Sequence, residues 1–346
     1  MSGNLPVLVT GGAGYIGSHA VLALQDAGFP VCVIDNLVTG FRWAVPAQVP
    51  FYQGDIADEA LVDRICREQG IQAVMHFAGS VVVPESVENP LKYYFNNTAK
   101  TRTLIGSIVR NKVPHMLFSS TAAVYGIPEV VPVSEDMPTV PINPYGASKL
   151  MTEWMLRDCA AAYPLNYGAL RYFNVAGADS KGRSGQSTRN ATHLIKVGVE
   201  AALAKRDGVH VYGTDYPTRD GTGVRDYIHV ADLARAHLSA LRGLRSGALK
   251  RETLNCGYGR GYSVLDVVHA VSRANGGKTV PLVLSPRRAG DVGEVVADCS
   301  AILARTDWRP QDDDIDVIAR DALAWEQSLE NGAAARANEG AACAGG

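Results

Sequence analysis

The chain has 346 residues, 47% hydrophobic and 20% charged, and its 33 basic residues against 35 acidic ones leave a net charge of −2. That balance excludes the broad basic footprint of a nucleic-acid or anionic-membrane binder, and no apolar run approaches the roughly 20 residues that span a bilayer. The length supports a large core, most readily as two lobes.

The opening Met1-Ser2-Gly3-Asn4-Leu5-Pro6 lacks a basic segment ahead of an apolar one, so no secretory signal is expected. Cys32, Cys66, Cys159, Cys256, Cys299 and Cys343 are scattered without CxxC spacing, which predicts reduced, mostly buried thiols in a cytoplasmic protein and no zinc site. Val7-Leu8-Val9-Thr10 reads as a buried strand running into Gly11-Gly12-Ala13-Gly14-Tyr15-Ile16-Gly17 and a helix. In such a turn Gly11 allows the tight bend, Gly14 lets backbone approach a pyrophosphate, and Gly17 lets the helix pack closely. The phosphates then lie on the helix N-terminus. A second strand over 31–34 ends in Asp35, 18 residues after Gly17. A carboxylate there accepts from both adenosine ribose hydroxyls and repels a 2′-phosphate, which predicts NAD rather than NADP.

A short strand is predicted over 50–52, followed by Asp55 and Ile56; Asp55 suits an adenine amino group and equally suits capping a helix over 59–69. Residues 73–77 read as a strand with His76 as a hydrogen-bonded core residue, and Ala78-Gly79 after it would let a cofactor lie against backbone. A helix over 91–111 precedes a strand over 115–119. This alternation predicts an α/β fold with a doubly wound parallel sheet of Rossmann type. Ser119-Ser120-Thr121 places hydroxyls at the carboxyl edge of that sheet, where ligands bind. A Pro-rich loop leads to Tyr145-Gly146-Ala147-Ser148-Lys149, whose Tyr145 and Lys149 share one helical face. A phenol with a reference pKa of about 10 serves as a base near neutrality only when a cation stabilises its anion. Further helices are predicted over 191–205, 230–245 and 264–274, and strands over 209–212, 253–256 and 280–284, in a smaller mixed lobe. The Ala- and Gly-rich residues 330–346 are expected to be a disordered tail.

Together the glycine turn, Ser119-Ser120-Thr121-Ala122-Ala123-Val124-Tyr125-Gly126, Asn143-Pro144-Tyr145-Gly146-Ala147-Ser148-Lys149 and Leu170-Arg171-Tyr172-Phe173-Asn174 resemble the extended short-chain dehydrogenase/reductase superfamily. Within it, Tyr216-Pro217-Thr218-Arg219-Asp220-Gly221-Thr222-Gly223-Val224-Arg225-Asp226-Tyr227-Ile228-His229-Val230 looks like the hallmark segment of the UDP-glucose 4-epimerase family. The resemblance implies an NAD-binding domain over 1–175 to which 226–250 return, a UDP-sugar lobe over 176–225 and 251–329, and a homodimer paired through the helices over 91–111 and 149–162. It implies cofactor contacts from Gly11, Gly14, Tyr15, Ile16, Gly17, Asp35, Asn36, Asp55, Ile56, Phe77, Ala78, Gly79, Asn96, Ser119, Tyr145, Lys149 and Tyr172. It also places Asn174, Arg225 and Arg288 on the diphosphate, Asp291 on the uridine ribose and Tyr212 beside the uracil. A guanidinium matches phosphate geometry bidentately, which suits the arginines.

The implied reaction inverts C4 of a UDP-hexose by transient oxidation: Tyr145 as phenolate takes the 4-OH proton while the C4 hydride passes to NAD, Thr121 bonds the same oxygen, and Lys149 lowers the tyrosine pKa. Three positions depart from the best-known bacterial form: Val81 stands for a Lys, Val295 for a Tyr, and His193 for an Asn near the diphosphate. The smaller Val295 would enlarge the sugar pocket toward N-acetylated UDP-hexosamines. A 4,6-dehydratase places an Asp-Glu pair after the hydroxyl residue, where this chain has Ala122 and Ala123. A UDP-glucuronate or UDP-pentose 4-epimerase stays open, because the sequence does not show what C6 group the pocket admits, and a non-catalytic NAD-binding sensor would share the glycine turn without needing Tyr145 and Lys149.

Overall fold

The computed structural model describes residues 5–188, 191–288 and 291–343. In chain order its first half runs β1 (Val7–Thr10), α1 (Tyr15–Asp26), β2 (Val31–Asp35), β3 (Phe51–Gln53), α2 (Glu59–Gln69), β4 (Ala73–His76), α3 (Val83–Glu88), α4 (Pro90–Tyr93), a π-helical turn (Tyr94–Ala99), α5 (Lys100–Arg110), β5 (His115–Ser119), α6 (Pro144–Ala162) and β6 (Asn166–Tyr172). The second half runs β7 (Asn174–Ala176), α7 (Leu194–Ala202), β8 (Val209–Tyr212), β9 (Val224–His229), α8 (Val230–Ser246), β10 (Arg251–Cys256), β11 (Gly261–Ser263), α9 (Val264–Ala274), β12 (Leu282–Ser285), β13 (Glu294–Val295), α10 (Ser300–Arg305) and α11 (Ile315–Cys343).

Among the described residues seven strands form one sheet in the order β10-β6-β5-β4-β1-β2-β3, every neighbouring pair parallel. Successive side chains on a strand point to opposite faces, and the strands here are apolar on both. Val7, Val9, Val33, Leu117 and Leu170 face a core shared with α1 and α8. Leu8, Ile34, Val74, Met116 and Phe118 face one shared with α2, α5 and α6. Because the chain winds outward from β1 through β2 and β3, then crosses to β4 on the other side, the carboxyl ends of β1 and β4 flank the reversal point where such sheets bind ligands.

A second, smaller sheet is centred on β9, which pairs with β7, β11 and β13, while β8 and β12 form a separate two-stranded ribbon. A third core of Ile195, Val199, Val209, Val267, Val271, Ile318 and Leu323 packs α7, α9 and α11 together. Strand β10 differs from the expectation that residues 253–256 belong to the smaller lobe. It extends the main sheet beside β6, with Leu254 opposite Leu170, because α8 before it lies back on that sheet and Leu254 and Cys256 complete the core beneath it. The helix expected over 91–111 starts at Pro90, the fixed φ of proline suiting a first turn, and widens into the π turn. The expected disorder from 330 also differs, since α11 continues to Cys343: alanine is the strongest helix former and extends a helix already docked at its start. Residues 344–346 lie outside the described residues.

Candidate active site

The site is assembled at the carboxyl ends of β1, β2, β4, β5 and β6. At β1, Gly11 has φ +69°, and a Cβ there would stand 2.6 Å from the Ala78 backbone nitrogen. At Gly17 a Cβ would lie 2.1 Å from the Gly11 carbonyl oxygen, and at Gly14 3.3 Å from the same atom. The turn is therefore folded onto the first turn of α1 more tightly than onto the sheet. Gly14 caps α1 without a side chain, and no acidic residue occupies its first turn, so its N–H groups are left for an anion. Tyr15 anchors the start of α1 by donating to the Gly177 carbonyl at 2.7 Å, and Ile16 packs on the core.

Asp35, at the end of β2, is buried and accepts from the Ala13 N–H at 2.9 Å and the Leu37 N–H at 2.8 Å, one on each oxygen. Burial raises its pKa and the two N–H bonds pull it back. Each oxygen keeps lone pairs for a further donor. Asn36 follows, its side chain accepting from Val38 N–H and bonding Asp55. Of the two readings for Asp55, the capping one is corrected: Asp58 caps α2 by accepting from Leu61 N–H at 3.0 Å, since it immediately precedes the helix. Asp55 instead meets Lys100 Nζ at 2.6 Å, and Ile56 is buried in the core.

Beyond β4, His76 is the core residue expected, within 2.7 Å of the Thr10 hydroxyl and 2.9 Å of the Thr101 hydroxyl. Phe77 rests on His237 with ring centroids 4.8 Å apart, and Ala78 lies under the glycine turn. A Cβ on Gly79 would press Asn97 Oδ1 at 3.0 Å. The π turn bends Asn96 and Asn97 onto this segment: Asn96 donates to the Ser80 hydroxyl at 3.1 Å, and Asn97 binds both the Ser80 N–H and its carbonyl. Val81 is exposed.

β5 and α6 bring the expected catalytic residues together. Asn143 caps α6 by accepting from Gly146 N–H at 2.8 Å, so Tyr145 projects from the first turn over the end of β5. Thr121 Oγ1 accepts from Ala123 N–H, and its hydroxyl bonds the Tyr145 phenol. Burial raises the Tyr145 pKa, and the Thr121 bond lowers it. One turn on, Lys149 is buried and donates to the Ser119 carbonyl at 2.9 Å; burial lowers its pKa to about 8. Tyr172 and Ser119 share a hydrogen bond. Around them lies a group that motif reading passed over: Ser120 Oγ donates to Glu153 Oε1 at 2.5 Å, Arg171 pairs with Glu153 at 2.6 Å and with the Tyr125 hydroxyl at 2.9 Å, and Tyr125 donates to Asn255. The signal available was spacing, since Glu153 continues the helical face of Tyr145 and Lys149.

Of the expected substrate residues, Asn174, Arg225, Asp291 and Val295 gather along β9, whereas Tyr212 and Arg288 meet at the end of the separate β8–β12 ribbon. Asn174, on β7, is opposite Tyr227 and lines a shallow cleft with Tyr15, His193 and Leu194. Arg225 is the register partner of Val295 and donates to Asp291 at 2.8 Å. Arg288 lies 3.6 Å above the Tyr212 ring. Val295 and Phe173 each pack against the apolar cluster of Tyr125 and Leu150.

A phenol, a lysine and a hydroxyl beside an open helix N-terminus and an anchored carboxylate can bind a dinucleotide and move a proton from a carbinol. Residues 7–257 match the family described as the NAD dependent epimerase/dehydratase family. The chain belongs to the NAD-dependent epimerase/dehydratase family. Within that family it is 56% identical over 324 residues to UDP-glucose 4-epimerase of Azospirillum brasilense, spanning 94% of this chain and 92% of that protein. It is similar to the solved UDP-glucose 4-epimerase of Brucella ovis in complex with NAD, with a TM-score of 0.90 and 43% identity over 92% of this chain and 98% of that one. It is similar as well to the UDP-Glc/GlcNAc 4-epimerase of Campylobacter jejuni, with a TM-score of 0.83 and 43% identity over 94% of this chain and 100% of that one. The family's cofactor fits the residues present, because the backbone cradle at Gly11, Gly14 and Gly17 has no room for side chains and Asp35 keeps acceptor capacity on both oxygens.

Proposed function

We propose that the chain interconverts UDP-glucose and UDP-galactose by inverting C4 of the hexose through a transient 4-keto sugar. The observation that carries this reading is Tyr145 with its phenol on Thr121, one helical turn from the buried Lys149, beside the glycine turn. NAD, when bound, serves as the reversible two-electron oxidant at C4. Tyr145 takes and returns the proton of the 4-hydroxyl, Thr121 orients the same oxygen, and Lys149 supplies the positive charge that a buried phenolate needs. Asn174, Arg225 and Arg288 hold the diphosphate, Asp291 the uridine ribose, and Tyr212 flanks the base. Strong charged contacts on the nucleotide and few on the sugar leave the sugar free to present either face.

Val295 widens this reading. Its side chain is much smaller than the tyrosine of the best-known bacterial form, and the difference in volume suits an N-acetyl group at C2, so UDP-N-acetylhexosamines are accepted as well. Two coarser readings accompany it. Leu91, Phe95 and Trp154 expose 77%, 59% and 47% of their surface on α4, the π turn and α6, an apolar stripe that suits pairing of two copies. Among the described residues no helix is long and apolar enough to cross a membrane, and with the scattered free thiols this supports a cytoplasmic setting. The domain division proposed is 1–175 with 226–256 for the cofactor and the remainder for the UDP-sugar.

The test is to incubate the purified protein, with no NAD added, with UDP-galactose and follow the anomeric protons by NMR. UDP-glucose should form, since the cofactor is regenerated each cycle and stays bound. UDP-N-acetylgalactosamine should be converted in the same assay. Inertness toward UDP-galactose even with NAD supplied would overturn the activity, and inertness toward the N-acetyl substrate alone would overturn the role of Val295.

A further inference from the structure

Helix α6 presents Tyr145, Lys149 and Glu153 one turn apart along one side, and each meets the chain leaving β5. Tyr145 is bonded by Thr121, Lys149 donates to the Ser119 carbonyl, and Glu153 accepts from the Ser120 hydroxyl at 2.5 Å. The three rungs tie α6 to three consecutive residues. The third differs in kind from the other two, because neither of its members is among the residues expected to touch cofactor or substrate. Ser120 is fully buried and Glu153 nearly so. Glu153 is gripped from behind by Arg171 through Nε at 3.0 Å and Nη2 at 2.6 Å, a fork that fixes the plane of the carboxylate. Arg171 in turn stands on β6 next to Tyr172, which bonds Ser119.

A buried ion pair is weak grounds for stability, since apolar residues of similar size commonly serve as well. Its geometry is directional, however, and here the direction runs through one hydroxyl to the residue between Ser119 and Thr121. We propose that Ser120, Glu153 and Arg171 are positioning residues that set the height of α6 against the end of β5, and so hold the Tyr145 phenol and Lys149 ammonium in register with Thr121. This inference rests on the 4-epimerase reading above. A displacement of about 1 Å in such a constellation lowers turnover by up to roughly a hundredfold without touching substrate binding.

Replacing Glu153 would strand a buried guanidinium and threaten the fold, so the test begins at the other end of the link. Ser120→Ala deletes the hydroxyl while Arg171 keeps both bonds to Glu153. With UDP-galactose, kcat should fall about tenfold, KM should stay within about twofold and the thermal midpoint should hardly move. Ser120→Thr restores the hydroxyl and should recover most of the lost kcat. Wild-type kcat in Ser120→Ala overturns the proposal, as does a parallel loss of kcat, KM and thermal midpoint, or a Ser120→Thr no better than the Ala variant. Wild-type protein assayed alongside separates the two readings: if it is inert the 4-epimerase reading fails, whereas if it turns over and Ser120→Ala matches it, only the positioning role fails.

Discussion

The Lys149 ammonium is held by one carbonyl and stripped of water, and burial brings its pKa down to about 8. Burial also raises the neighbouring Tyr145 phenol. Where turnover needs a phenolate and an ammonium together, a raised phenol and a lowered ammonium make that form a minority one. Its share climbs with pH up to about 8, where Lys149 begins to lose its proton, and levels off above. Lys149→Met removes that break and leaves the phenolate without its cation, so the climb continues to higher pH and kcat at pH 7 falls by about a hundredfold. A pH–rate profile of the two proteins checks the shift, and a break that stays near pH 8 in Lys149→Met would assign it to another group. Tyr145 and Lys149 were legible in the sequence because helical spacing relates them locally. Glu153 and Arg171 were not, since their pairing joins a helix to a strand 18 residues away and a buried arginine in a strand leaves no period-two pattern to read.

At the level of elements, glycine separates positions where space is required from positions where it is merely left. Gly17 sits in α1, where a Cβ would meet the Gly11 carbonyl at 2.1 Å, and both partners are backbone with nowhere to go. Gly17→Ala should open the turn, so that the purified protein carries less NAD, read by the absorbance of cofactor released on denaturation. Gly106 lies exposed within α5 with nothing within 4 Å of the would-be Cβ and no positive φ. Gly106→Ala should raise stability by about 0.5–1 kcal/mol through a smaller entropy loss on folding. Chemical denaturation of the two variants should therefore move in opposite directions. The same local logic explains which elements could be read in advance. α2, α9, β5 and β8 coincide with the ranges predicted because their apolar periods are clean and turn residues bound them. β6, β7 and β9 escaped: β6 carries Gly168 and the buried Arg171, and β9 hides the buried Asp226 among Arg225 and Tyr227. In β6 and β9 a tertiary partner satisfies a residue whose polarity argues against a buried strand.

On the scale of the whole molecule, titration is dominated by groups that the fold buries in their neutral form. His19, His76 and His237 are almost fully buried, and burial lowers their pKa values to about 4, 3 and 4. Unfolded, each would titrate near 6.5. Between about pH 6.5 and 4 the unfolded chain therefore binds three protons that the native one refuses, and each subtracts about 1.4 kcal/mol of stability per pH unit as the pH falls. Asp226 works the other way. Burial raises its pKa to about 6 despite bonds from the Tyr258, Gly259 and Ala297 N–H groups, so from pH 6 down to about 4 the native state takes up a proton before the unfolded state does and regains stability. From these four groups two net protons remain, a slope of about 2.7 kcal/mol per pH unit, while the burial that lowers His115 and His193 steepens it and the burial that raises Asp35 and Glu135 offsets part of that. Denaturation in urea at pH 6, 5.5, 5 and 4.5 should show the stability falling at about that rate. His237→Phe should lower the slope by about 1.4 kcal/mol per pH unit: its ring already packs among Phe77 and Tyr172, and the loss of the Nδ1 bond to the Leu233 carbonyl lowers stability by the same amount at every pH and leaves the slope alone. An unchanged slope in that variant would mean that the acid sensitivity lies in other groups.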